Sequence, residues 1–257
     1  MDIFDLINNH ASIRKYKSDP VPNELLNSLL EAGIRTSSSG NMQTYSIIVT
    51  RDTALRKRLH TALNQQDMVL EAPIYLTFCA DFNRMRKWLT LSDAPDNFDN
   101  FMSFMVAAID AILVSQNVAL AAEAKGLGIC YIGSTLANCD QVGEILQLPN
   151  SVMPVVGFTL GYPDEKPAVR DRLPLTGLVH QETYQDYTDA QIEEIYKGRN
   201  VDGWNRYMSF PRMRKKIEES GVTNLAQIYT ILKYTRATHT KYSQTVLNYL
   251  KKQDFMN

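Results

Sequence analysis

The chain has 257 residues, of which 44% are apolar and 21% charged, enough for a sizeable core in one large domain or two small ones. A net charge of −1 excludes an overall nucleic-acid or polyanion binder, although residues 187–257 hold 12 Lys/Arg against 7 Asp/Glu. Three widely spaced cysteines, Cys79, Cys130 and Cys139, with no CxxC, exclude a zinc ribbon or thioredoxin motif.

In chain order, residues 2–9 read as a short helix. Asp19-Pro20-Val21-Pro22 breaks the chain, and a helix follows from Asn23 to about Ala32. Thr36 to Asn41 is a polar loop, Tyr45 to Arg51 a β-branched strand, and Ala54 to Asn64 a basic amphipathic helix. Ile74 to Cys79 reads as a second strand. Phe104 to Lys125 is a long helix with Val106, Ile109, Leu113, Val118 and Leu120 near helical spacing. Asp110, Ser115, Gln116, Asn117 and Glu123 interrupt its apolar run, which points to a buried helix rather than a membrane span. Strands at Ile129–Ile132 and Val155–Leu160 flank a short helix at Gln141–Leu146. Beyond Tyr187 the pattern is helical almost to the end. Helices outnumber strands and alternate with them irregularly, so the expected class is α+β. Residues 1–187 form the expected core and 188–257 a helical C-terminal extension. The acidic start, MDIFDLINNH, lacks the basic region of a signal peptide. With cysteines odd in number and widely spaced, of which Cys79 and Cys130 read as inert core residues, this gives an expectation of a cytoplasmic protein that does not use a membrane.

No metal motif, nucleophile elbow or P-loop is readable, and the four histidines are isolated. Gly126-Leu127-Gly128 follows a helix and precedes a strand, the reverse of a dinucleotide-binding turn, so Gly126 reads as a helix-ending residue. An enzyme without its own acid, base, nucleophile or metal draws its chemistry from an organic cofactor. Two segments suit an anion. The apolar run from Pro154 turns at Gly161 and Pro163 into a loop carrying Arg170 and Arg172, whose planar guanidiniums match phosphate oxygens. His10-Ala11-Ser12-Ile13-Arg14 is the other. Gly133, at a strand end, permits close backbone approach of a flat ligand, or simply makes a turn.

Five motifs carry a resemblance: HASIRKY at 10–16, TSSSGNMQ at 36–43, CADFNR at 79–84, GLGICYIGS at 126–134, and PVVGFTLGYPDEKP through DRLP at 154–174. Together they resemble the FMN-dependent nitroreductase family, in its larger, NADPH-preferring branch. The resemblance implies a nitroreductase-like fold, with a mostly antiparallel central sheet packed by helices, and an intertwined homodimer with FMN at the interface. It implies that His10, Ser12 and Arg172 hold the FMN phosphate with help from Arg170, and that Arg14 and Gln66 meet the pyrimidine edge of the flavin. Tyr131, Ile132, Gly133 and Ser134 would run along the ring, while Ser38, Ser39 and Asn41 would reach it from the partner subunit. Arg199 would bind the 2′-phosphate of NADPH. The implied activity is hydride transfer from NAD(P)H through FMN to a nitroaromatic, quinone or free flavin, with ping-pong kinetics and no catalytic side chain. A flavin-binding redox sensor is the alternative from another class, and a phosphate-ligand binder without flavin a third. Three departures stand out. Ala11 replaces an arginine, Arg170-Asp171-Arg172 replaces a Lys-Pro-Arg-like pattern, and residues 188–257 match poorly.

Overall fold

Four antiparallel strands pair where apolar and β-branched residues concentrate in the computed structural model, which describes residues 2–256. The chain divides into two compact units. The first holds the described residues up to Ala168 and those from Tyr242 on; the second holds Val169–Lys241. The expected break at 187/188 therefore differs from the observed division. The reason is packing: Tyr249, Leu250 and Phe255, near the end of the chain, are buried in the first unit's core.

In the first unit the elements are α1 (Ile3–Asn8), α2 (Asn23–Gly33), β1 (Tyr45–Thr50), α3 (Thr53–Ala62), α4 (Met68–Glu71), β2 (Ile74–Asp81), α5 (Asn83–Leu91), α6 (Phe101–Ala124), β3 (Gly128–Tyr131), α7 (Ser134–Ala137), α8 (Cys139–Ile145) and β4 (Val152–Gly161). The sheet order is β1-β2-β4-β3. Every residue of β2 is buried, so its sequence is mostly apolar instead of alternating, with Thr77 and Asp81 as buried polar exceptions. The β2–β4 register shifts between Phe78 and Cys79. All three cysteines are buried; burial pushes the Cys79 thiol well above its ordinary range, as expected of an inert core residue, and the Cys139 thiol up to about 12.

Helix α6 packs against the sheet and α2 through small residues, Ala107, Ala111, Ala119 and Ala122. Among the described residues it is the one helix long and apolar enough to cross a membrane, but half of that stretch is buried inside the fold. Gly33 of α2 lies so close to α6 that an added Cβ would collide with Val118 Cγ2. Gly126 ends the helix at φ +75°, a left-handed conformation that costs glycine little. This agrees with reading the glycine pair as a helix stop.

In the second unit, α9 (Asp189–Ser209), α10 (Pro211–Ser220), α11 (Leu225–Gln227) and a π-helical turn at Ile228–Lys233 follow one another. Thr188 and Gln191 form a capping box that fixes where α9 begins. Tyr207, Ile217, Val222, Leu225 and Ile228 make a separate core. Helix α12 (Arg236–Lys252) begins in the second unit, and its later residues belong to the first.

Candidate functional site

The segment around Ile13 is bound along the beginning of β3. The Ile13 amide donates to the Ile129 carbonyl at 2.9 Å. A Cβ on Gly128 would meet Ile13 Cγ1 at 2.5 Å, so only glycine lets the segment lie this close. Tyr16 anchors the other end, its hydroxyl donating to the Ile13 carbonyl at 2.7 Å and sharing a hydrogen bond with Thr159 Oγ1 at 2.7 Å. Burial holds that hydroxyl well above the ordinary tyrosine range. Glu165 accepts from the Arg14 amide at 2.5 Å and from the Lys15 amide at 3.1 Å. These backbone bonds leave the side chains of His10, Ser12 and Arg14 to define the segment's chemistry.

His10 donates Nδ1–H to Glu123 Oε1 at 2.5 Å, which fixes the orientation of its ring. The Arg14 guanidinium donates to the Ser12 carbonyl at 3.3 Å, an arrangement that holds the cation over its own segment.

At the far end of β3 the chain passes through Ile132, whose amide donates to the Gly157 carbonyl at 2.8 Å, to Gly133 and Ser134. Gln66 Nε2 donates to Ser134 Oγ at 3.0 Å, and Asn138 Nδ2 donates to the Ala62 carbonyl at 2.7 Å. The loop after α3 is thus tied to the β3 terminus. No heavy atom lies within 4 Å of where a Cβ on Gly133 would sit, so the backbone here faces open space. Tyr131 shares a hydrogen bond with Ser115 Oγ at 3.0 Å, and burial pushes its hydroxyl up to about 12.

A third group gathers on Asp110, which is fully buried in α6. Its carboxylate accepts from the Ser38 hydroxyl at 2.7 Å, the Ser39 amide at 3.0 Å, and the Thr44 hydroxyl and amide at 3.1 and 3.3 Å. Ser38 Oγ also accepts from the Gln43 amide at 2.8 Å. The carboxylate therefore moulds the 38–44 loop, where Gly40, Asn41 and Gln43 all have positive φ. Arg84 donates to the carbonyls of Gln43 and Tyr45 and braces the same loop. The Ser38 hydroxyl is thereby committed to shaping the loop, and Asn41 sits at its strained tip.

In the second unit Arg172 Nη1 donates to the carbonyls of Arg170 and Asp171 at 3.2 and 3.0 Å. Arg199 donates to the Asp171 carboxylate at 2.5 Å.

Sequence reasoning missed the roles of Asp110, Glu123 and Glu165, which orient the neighbouring segments. The signal for Asp110 was present, as a charged residue inside an apolar helix is normally buried and partnered. Glu165 gave no such signal, because its partners are 150 and 151 residues away.

Residues 7–162 match the model of the Nitroreductase family. The chain belongs to this family. It is 30% identical over 244 residues to an FMN reductase, NAD(P)H, of Bacillus subtilis strain 168, covering 86% of this chain and 97% of the relative. To the oxygen-insensitive NADPH nitroreductase of Salmonella typhimurium strain LT2 it is 34% identical over 216 residues, covering 79% and 88%. A solved structure from Bacteroides fragilis NCTC 9343 superposes with a TM-score of 0.90 at 40% identity, covering 98% of this chain and 100% of that one. The α+β nitroreductase-like fold, with its antiparallel sheet and flanking helices, is thereby confirmed. Nitroreductase family membership, in the NADPH-preferring branch, makes the protein an FMN- and NAD(P)H-linked oxidoreductase.

Proposed function

We propose that this nitroreductase-family protein takes hydride from NAD(P)H and passes it, through FMN, to a nitroaromatic, a quinone or free flavin. The observation that carries this reading is the open backbone at Gly133, next to Ser134, whose hydroxyl accepts from Gln66. A side chain there would occupy the space; its absence suits a flat ring lying against the peptide. Bound FMN would supply the two-electron chemistry that the protein's own side chains do not provide.

The residues bind and orient. Ile132, Gly133 and Ser134 offer backbone beside the ring, with Tyr131 behind them on β3. Arg14 and Gln66 stabilise the charge that reduction places on the pyrimidine edge, because a fixed cation and donor there interact more strongly with the reduced form. His10 and Ser12 are proposed contacts of the phosphate. His10 donates from Nε2 only as an imidazolium, since Nδ1–H is engaged with Glu123. In the second unit Arg170 and Arg172 are proposed, from their motif, for the FMN phosphate, and Arg199 for the 2′-phosphate of NADPH. The cytoplasm, which keeps thiols reduced, suits three buried cysteines.

We further propose a homodimer. Helix α6 leaves Met102, Met105, Ile109, Ile112 and Leu113 exposed, spaced as one apolar stripe. A second copy covering this stripe would bring its 38–41 loop, with Ser38, Ser39 and Asn41, toward the other protomer's flavin.

Because donor and acceptor would occupy one face in turn, initial-rate measurements at several fixed acceptor concentrations are expected to give parallel double-reciprocal lines. Intersecting lines would show a ternary complex and contradict the reading.

A further inference from the structure

Asp171 lies between the two arginines proposed for the FMN phosphate. A carboxylate in that place opposes an anionic ligand unless another charge offsets it. The second unit supplies one. Arg199, on α9, donates Nε–H to Asp171 Oδ2 at 2.5 Å and Nη2–H to the Asp171 backbone carbonyl at 3.3 Å. The same carbonyl accepts from Arg172 Nη1 at 3.0 Å. One peptide unit thus joins the two guanidiniums. The ion pair is partly sheltered, with side-chain exposures of 28% and 32%, and is screened less than a surface pair.

The rest of the segment follows the same face of α9. Ile195 stands four residues before Arg199, on the same side of the helix. A Cβ on Gly177 would meet Ile195 Cγ2 at 2.6 Å, so Gly177 lies flush against the helix. Residues 171–177 are therefore fastened to α9 at both ends, by the ion pair and by this contact.

We propose that Arg199 is a positioning residue for FMN. It neutralises Asp171 and fixes the 170–172 peptide, so that the phosphate meets Arg172 without an opposing carboxylate. The proposal rests on the reading of Arg170 and Arg172 as phosphate contacts. It also explains how this chain tolerates an acid in its Arg-Asp-Arg sequence. The role is distinct from recognition of NADPH, because it acts on the flavin before any donor binds.

The test is titration of the flavin-free, full-length protein with FMN and with riboflavin, which lacks the phosphate, followed by fluorescence quenching. R199A is expected to raise the FMN dissociation constant about tenfold, near the lower worth of one charged hydrogen bond, and to leave riboflavin binding unchanged. R199K, which keeps the charge, is expected to lose less. D171N alone is expected not to weaken FMN, and adding R199A to D171N is expected to change it by less than about twofold, since no carboxylate charge then needs an offset. The proposal is overturned if R199A leaves FMN affinity unchanged, even where it raises KM for NADPH at saturating FMN. It is equally overturned if R199A weakens FMN as much in the D171N background as alone. A wild-type protein that takes up no FMN would instead defeat the flavin reading itself, and R172A without effect would defeat the phosphate role of the loop.

Discussion

At the scale of single residues, the site depends on a few groups whose partners are far away in sequence. Arg172 is exposed and its guanidinium is satisfied by two carbonyls of its own loop. A bound phosphate would replace neutral acceptors with a charged one, which strengthens each hydrogen bond. Arg172→Ala is therefore expected to weaken FMN binding by about tenfold to a hundredfold, the range for one charge-assisted hydrogen bond, in equilibrium titration of the flavin-free protein. Unchanged affinity would remove Arg172 from the phosphate site. The residues proposed to contact a flavin stand out in the sequence because anion-seeking side chains sit in recognisable short motifs. The residues that orient them were not. His10 gives no hint of Glu123, 113 residues further on, yet their contact at 2.5 Å sets the imidazole's direction. Gly128 was given no role of its own in the sequence, while its structural work is to admit Ile13 against β3.

At the scale of elements, strands β1 to β4 and helix α6 were legible because their sequences are predominantly apolar or β-branched. Helix α5 was not anticipated. Its sequence, NRMRKWLTL, places Met85, Trp88 and Leu89 at helical spacing but fully buries no residue, and nine residues are too short a window for the pattern to stand out. The α2–α6 contact is legible only in three dimensions. Gly33 sits where an added Cβ would collide with Val118, and overpacking of this kind costs about 1–3 kcal/mol. Gly33→Ala is expected to lower stability by that amount in denaturant unfolding. Adding V118A should recover part of the loss, because it removes the colliding methyl. A Gly33→Ala protein as stable as wild type would mean that the helices separate freely, against the close packing described here.

At the scale of the whole molecule, an α+β fold was legible from the irregular order of strands and helices, whereas the return of the chain's end to the first core was not. Tyr249, Leu250 and Phe255 carry no sequence mark that says which unit buries them. The apolar stripe on α6 bears on the proposed homodimer. Ile109 lies within it and is 49% exposed. Ile109→Glu is expected to shift the protein from dimer to monomer in sedimentation velocity, with loss of bound flavin, because a buried unpaired carboxylate at an interface is strongly unfavourable. A dimer that persists with Glu at this position would place the interface elsewhere.

The proposed activity requires bound FMN that a nicotinamide donor reduces. The most direct measurement is the visible spectrum of the purified protein, reconstituted with FMN and mixed without oxygen first with NADPH and then, in a separate sample, with NADH. The predicted result is a flavin band near about 450 nm that bleaches rapidly with NADPH. A protein that stays colourless after FMN is added, or a band that neither donor bleaches, would contradict it.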